Sequence, residues 1–356
     1  MQYCEDWEKI QNKFLEFWAR ENHDRPLLKL QVLKDRHEKE PSSYHTSLRE
    51  RWMDTEYIIK KANWSMQNTR YFAEAFPILN PNLGPDWFAT GYGAQLKFGE
   101  ITSWADHTLT DEDVESYKGF VLDTQNVYYQ KMDEIIKAAV EDGKDKYMVG
   151  ITDIHPGADC LVSLRGSQNL CMDVYDYPDF IPKGTMDIFS DFKKVYDHQY
   201  KLVTKYQKGT TCWMGLWHPG KWYVPSCDFS CMISEKQYNE LIVPEIEKEV
   251  EFLDASIYHL DGPGALRHLD RILEIPGLSG VQWRYGAGQP SASHWIPVVK
   301  KIQAAGKCVE LEVQAHELET MLKEVAPEGV CYWITQVKDE AHAEYLMKLV
   351  ERYARA

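Results

Sequence analysis

Short β-branched and aromatic runs alternate with helix-period segments along nearly the whole chain, and nothing else in it constrains the fold so tightly. Strand-like runs fall at residues 27–32, 71–79, 147–154, 210–217, 256–261, 280–285, 308–313 and 330–335. Between them, apolar residues recur at helical spacing over 48–69, 111–142, 187–206, 235–253, 265–273, 293–305, 318–325 and 340–353. Strand-then-helix units repeated in this way place the strands parallel and the helices outside. Eight such units in 356 residues favour closure, so the expected fold is α/β, a (β/α)8 TIM barrel with an N-terminal helical extension. A dinucleotide fold is set aside, because Gly286-Ala287-Gly288 runs into Gln289-Pro290 rather than into a helix. Ahead of the first strand, Trp7, Ile10, Phe14, Phe17 and Trp18 mark an amphipathic helix over 4–20, broken by Arg25-Pro26. The expected division is a helical extension over 1–25 and a barrel over 26–356, with no linker inside it.

Composition narrows the function. Apolar residues make up 44% of the chain and aromatics 13%, enough for a large core. A net charge of -15 disfavours nucleic acid and anionic membrane as partners, yet a few local Arg or Lys would still admit an anionic small molecule. No apolar run approaches a membrane span. The eight Cys include no Cys-x-x-Cys pair, and Met1-Gln2-Tyr3 leads into a polar amphipathic stretch, so the expectation is a cytoplasmic protein with reduced thiols.

In such a barrel the chemistry sits at the C-terminal ends of the strands. The run from Ser256 to Gly264 ends a strand in Gly-Pro-Gly. Alternation puts Ile257, His259 and Asp261 on one face and Tyr258 and Leu260 on the other. Other strand ends offer Asp153 and His155, Trp217 and His218 followed by Trp222 and Tyr223, and Gln282 through Tyr285. Over 308–313, Val309, Leu311 and Val313 form the apolar face, so Cys308, Glu310 and Glu312 must look inward. An interior carboxylate is costly unless paired, protonated or metal-bound. Three readings stay open. His259, Asp261, Glu310 and Glu312 hold a divalent metal; or they do general acid–base work; or the acids form internal ion pairs with Arg284, Arg267 or Lys29. Cys331 reads as a core thiol rather than a ligand.

Four segments, in order along this pattern, suggest a family. Cys227-Asp228-Phe229-Ser230-Cys231-Met232-Ile233-Ser234-Glu235, leading into a helix that contains Pro244, resembles the Asp to Met-Ile-Ser-Pro-Glu segment of the uroporphyrinogen decarboxylase superfamily. His259-Leu260-Asp261-Gly262 is similar to that family's fifth-strand end. The stretches from Gly157 to Leu161, through Arg165-Gly166 to Tyr177-Pro178-Asp179, and from Phe76-Pro77 to Asn82-Leu83-Gly84-Pro85, are similar to further segments of it. The resemblance spans residues 25–355. It departs from the true decarboxylase at two places. Gln31-Val32-Leu33-Lys34-Asp35-Arg36 stands where that enzyme has an Arg-Gln-x-Gly-Arg loop, and Pro77-Ile78-Leu79 stands where it has a Ser-Asp pair. Authentic uroporphyrinogen decarboxylation is therefore not expected.

The family's corrinoid-dependent methyltransferase branch is closer. Its first zinc ligand matches His259, and its second, a Cys, falls at Asp261. Its third, a Cys after the last strand, has no match, since Cys331 lies too early and Thr335 is nearer the place. The resemblance implies a metal-assisted methyltransferase that passes a methyl group between a small substrate and a corrinoid on a partner protein. Zinc would be held by His259, Asp261 and Glu310 or Glu312. His259, Asp261, Glu310 and Asp153 are the candidate catalytic residues. Trp217, His218, Trp222, Tyr223, Trp283, Arg284 and Trp333 are the candidate substrate contacts, suited to a quaternary or methoxy-aromatic compound. One alternative is a cofactor-free decarboxylase or lyase acting on a carboxylated ring. There Arg284 and His218 would bind carboxylate, and Asp153 or Asp261 would steady a cationic intermediate. Another is a non-catalytic binding barrel. Family members are often homodimers, which is the expected assembly.

Overall fold

The computed structural model describes residues 1–354 apart from Tyr3 and Glu5. Its strands are β1 (Leu27–Leu33), β2 (Thr69–Ala73), β3 (Ile78–Leu79), β4 (Leu96–Phe98), β5 (Ser103–Ala105), β6 (Met148–Val149), β7 (Trp222–Tyr223), β8 (Ala255–Asp261), β9 (Gly280–Arg284), β10 (Cys308–Gln314) and β11 (Val330–Thr335). The central sheet has seven strands in the order β2-β1-β11-β10-β9-β8-β7. All its pairings are parallel except β1 with β2. The chain is thus an α/β protein built on a mostly parallel sheet.

Closure into eight hydrogen-bonded staves is not what the structure shows. β3 and β6 pair only with each other. The run over 71–79 is split, because Ala73 at φ 52 turns the chain between an antiparallel β2 and a two-residue β3. The expected strand over 210–217 folds back on itself. Gly215 takes φ +70 there, and Thr210 forms an antiparallel bridge with His218. β7 takes the place beside β8, and a parallel bridge from Ser226 to His259 prolongs it. Between these parts, single contacts replace a ladder. Ile151 N–H donates to Thr211 O at 2.8 Å, and the Tyr223 hydroxyl bonds to Ile154 N–H and, at 2.8 Å, to Thr152 O.

The N-terminal helix α1 (Trp7–Ala19) is shorter than the 4–20 expected, and Glu5 lies outside the described residues. It buries Phe14 and Phe17 completely. Trp18 Nε1–H donates to Trp217 O at 2.8 Å, and the thiol of Cys308, the first residue of β10, donates to Phe17 O. These contacts place α1 under the N-terminal ends of the strands, opposite the end where polar side chains gather.

Helices α2 (Leu48–Met53) and α3 (Thr55–Asn68) divide the segment expected as one helix; Asp54 accepts from Tyr57 N–H and caps the second. Over 111–142, α4 (Asp111–Glu115) and α5 (Val127–Gly143) are likewise separate, and Asn126 caps α5 by accepting from Tyr128 and Tyr129 N–H. Then come α6 (Gly157–Arg165), α7 (Ser167–Asp176) and α8 (Phe180–Val203). Pro244, which cannot donate a helical hydrogen bond, sits in the first turn of α10 (Val243–Phe252), preceded by the short α9 (Glu235–Gln237) and a π-helical turn over Tyr238–Ile242. The last helices are α11 (Leu269–Leu273), α12 (Ile296–Ala304), α13 (Leu318–Glu324) and α14 (Glu340–Tyr353).

Candidate metal and substrate site

The site grows from the register of β8, β9 and β10. His259 pairs with Gln282, and Gln282 with Glu310, so alternation brings these three side chains to one level of the sheet's inner face. His259 Nδ1 lies 2.5 Å from Gln282 Oε1. Gln282 Nε2 donates to Glu310 Oε2 at 2.6 Å, and Lys29 Nζ donates to Glu310 Oε1 at 2.5 Å. Glu310 is fully buried, and its two partners satisfy both oxygens. One level higher, Arg284 donates to Glu312 Oε2 at 2.6 Å, while the Thr335 hydroxyl donates to Glu312 Oε1 at 3.1 Å. The Arg284 guanidinium also lies over the Trp333 ring, 5.4 Å from its centre.

A second loop completes the rim. A 3-10 turn over Asp228–Met232 follows β7, and Asp159 on α6 pins its start. Asp159 Oδ1 accepts from Asp228 N–H at 2.9 Å, and Asp159 Oδ2 accepts from the Ser226 hydroxyl at 3.0 Å. Asp228 is thereby aimed at the end of β8. One ligand atom each of Asp228, His259 and Asp261 lie within 4.8 Å of one another, with His259 half-buried and both acids exposed. Burial and the Asp228 charge push the Asp261 carboxyl up, against the pull of His259 and Arg284. Among the described residues no Lys or Arg lies within ion-pair distance of Asp228 or Asp261.

Asp153 and His155, at the end of the stretch that follows β6, face the same rim. Their side chains approach to 3.1 Å. Burial opposes charge on His155, but the Asp153 charge and hydrogen bond outweigh it and lift the imidazole to about 10. For Asp153 burial acts upward, yet the His155 charge holds it below the usual carboxylate range. Asp159 is pushed up to about 6 by burial and by the Asp228 charge.

Beside this rim lies a cavity of about 410 Å³. Lys29, Gln31, Asn80, Gln282, Arg284 and Glu310 line its polar side, and Met66, Phe76, Ile78, Trp213, Met214 and Trp333 its apolar side. Trp213 also meets the His259 ring edge-on at 5.6 Å between centres.

Of the seven expected substrate contacts, Arg284 and Trp333 line the cavity. The other five are held elsewhere, so the wall of the cavity is corrected in those places. Trp217 and Trp222 are buried, with their indole N–H groups donating to Lys208 O and Thr210 O. His218 accepts from Gly220 N–H beneath Trp18, and burial lowers its pKa. Tyr223 is a buried brace, and Trp283 packs against Trp295 on the outer face of β9. Glu310 and Glu312 stand in ion pairs with Lys29 and Arg284 rather than beside His259 and Asp261. Cys331 is buried, with its thiol pKa raised by burial. From the sequence alone, Asp228 had no ligand role and Gln282 no role beyond its place at a strand end, and Trp213 was not singled out. The shared face of Gln282 and Arg284 on one strand was the available signal for Gln282.

The residues present fit a divalent cation. One imidazole and two carboxylates converge, Nδ1 of that imidazole is hydrogen-bonded to Gln282, and among the described residues neither acid has a basic partner. No family model and no curated protein matches the chain. Among solved structures, a methyltransferase from Methanosarcina mazei superimposes with a TM-score of 0.64 at 11% identity, over 97% of this chain and 98% of that one. At that identity the likeness speaks for the fold alone.

Proposed function

We propose that this chain is a barrel-like enzyme of the methyltransferase type, passing a methyl group between a small substrate and a corrinoid held by a partner protein. The observation that carries the reading is the convergence of Asp228, His259 and Asp261 beside a substrate-sized cavity, on a fold shared with a methyltransferase. His259 and Asp261 were expected as metal ligands; Asp228 replaces Glu310 and Glu312 as the third. A divalent ion held there would act as Lewis acid on the heteroatom that loses the methyl group. The chain's own side chains do the rest. Gln282 orients the His259 ring, and Trp213 and Trp333 bound the substrate space. Lys29 and Arg284 are already paired with Glu310 and Glu312, so they offer hydrogen bonds rather than free charge. Because Arg284 occupies one face of Trp333, a methoxy-aromatic substrate fits this wall better than a quaternary ammonium does.

The test is zinc content by elemental analysis after supplementation, with Asp228→Asn and His259→Ala alongside. About one ion per chain is expected in the parent and little in the variants. A parent protein that stays far below one ion per chain would sink the reading.

A further inference from the structure

We infer that Lys29, Glu310 and Gln282 form a positioning relay that locks His259 as its Nδ1–H tautomer and so presents the Nε2 lone pair to the Asp228–Asp261 rim. The relay spans β1, β10, β9 and β8 through three contacts of 2.5, 2.6 and 2.5 Å. Each hydrogen in it has one possible place. The Lys29 ammonium can only donate, and it donates to Glu310 and also to Met214 O at 2.5 Å. A carboxylate paired with an ammonium can only accept, so Gln282 must turn its NH2 group toward Glu310. That leaves Gln282 Oε1, an acceptor, facing His259 Nδ1. Nδ1 must therefore carry the proton, and in the neutral ring Nε2 is then bare. Turning the amide round would set its oxygen against the Glu310 carboxylate inside a buried row. The charge of one lysine thus decides which nitrogen of a histidine four strands away is free.

These three residues are positioning residues, since none of them belongs to the converging set. The tautomer lock stands on the hydrogen-bond pattern alone; its use for a metal rests on the proposed function. Loss of such an outer partner costs about 10- to 100-fold in metal affinity.

Nitrogen-15 NMR of the histidines in metal-free protein, with His259 assigned through His259→Gln, reads the tautomer directly. The Nδ1–H form is expected in the parent and a mixture in Gln282→Leu and Glu310→Gln. Glu310→Gln separates the lock from mere packing, because Gln282 stays while the reason for its orientation goes. An Nε2–H tautomer in the parent overturns the inference, and so does an unchanged tautomer in both variants. Zinc titration is the second readout, with the two variants expected to bind about 10- to 100-fold more weakly than the parent. Parent-like zinc affinity in both variants overturns the relay's role at the metal. A parent that binds no zinc sinks the metal reading, while the tautomer still decides the lock. If Gln282→Leu does not fold, the parent spectrum and Glu310→Gln decide it.

Discussion

Replacing Glu245 with Gln should flatten the dependence of stability on pH. Glu245 and Glu249 sit four apart on α10, on one face, and each is only 1% exposed. Among the described residues their four carboxyl oxygens have no hydrogen-bond partner outside the pair. Glu245 packs on Gly157 so closely that a Cβ there would come within 2.5 Å of Oε2. Burial, assisted by the Asp159 charge and opposed by the hydrogen bond from Glu249, pushes Glu245 up to about 8. Burial and the Glu245 charge push Glu249 up as well. The folded protein therefore holds the Glu245 proton more tightly than the unfolded chain, whose carboxyl titrates near 4.5. The stabilisation is fully present below that value and is lost as pH rises toward about 8. At about 1.4 kcal/mol per pH unit, the whole window is worth at most about 5 kcal/mol. Asp159 and His155 titrate with the same sign near about 6 and about 10, so the difference between parent and Glu245→Gln reports the Glu245–Glu249 pair against that shared background. The assay is urea unfolding followed by Trp fluorescence at several pH values from mildly acidic to mildly alkaline. The parent should lose several kcal/mol more than the variant across that range. Parallel losses in the two proteins, or none in the parent, would refute the argument.

Three further outcomes follow from buried contacts and from the cavity wall. Asp173→Ala leaves the Arg165 guanidinium, 4% exposed and bonded to Asp173 at 2.8 and 3.0 Å, with only Asp111 as acid partner; unfolding in urea should show a loss of about 3 kcal/mol. Tyr223→Phe removes the hydroxyl that ties Thr152 and Ile154 to β7 and should cost about 1–3 kcal/mol by the same measurement, while zinc content stays at the parent level. Arg284→Met should change stability by less than about 1 kcal/mol, since its pair with Glu312 is partly exposed, yet weaken binding of a methoxybenzoate in calorimetry; unchanged binding would remove Arg284 from the substrate wall.

Much of the sheet was legible because its long strands carry a strict alternation. β8, β9, β10 and β11 fall within a residue of the runs at 256–261, 280–285, 308–313 and 330–335. The misses have local causes. Residues 210–217 are apolar enough for a strand, but Gly215 supplies the left-handed turn that folds them back, and apolar content alone does not report it. Ala73 adopts a positive φ without being glycine, so the turn there is silent in the sequence, and only Pro77, just ahead of β3, marks the division of the 71–79 run. The long helix expected over 111–142 contains Gly119 and the capping residue Asn126, which mark the interruption in retrospect. Closure failed on this side of the sheet, where β3, β6 and β7 are each only two residues long.

The site was half legible for a related reason. Alternation tells which side of a strand a residue faces, and it put His259, Asp261, Glu310 and Glu312 on the inner side. It does not tell which neighbours share a level, because register belongs to the assembled sheet. Register brings Glu310 opposite Gln282, within reach of Lys29, and Arg284 beside Glu312, so the interior acids expected as ligands meet cations instead. His155 is likewise taken by Asp153. With the rim's cations committed in this way, Asp228 and Asp261 are left facing each other across His259, and Asp159 fixes Asp228 there by holding its backbone rather than its charge. Two carboxylates crowded together repel, and a cation bound between them removes that repulsion. The same balance of charge makes a distinction that can be measured. Zinc titration should show weaker binding as pH falls and protons compete for Asp261, whose pKa is raised, and an affinity unchanged into mildly acidic solution would take Asp261 out of the ligand set.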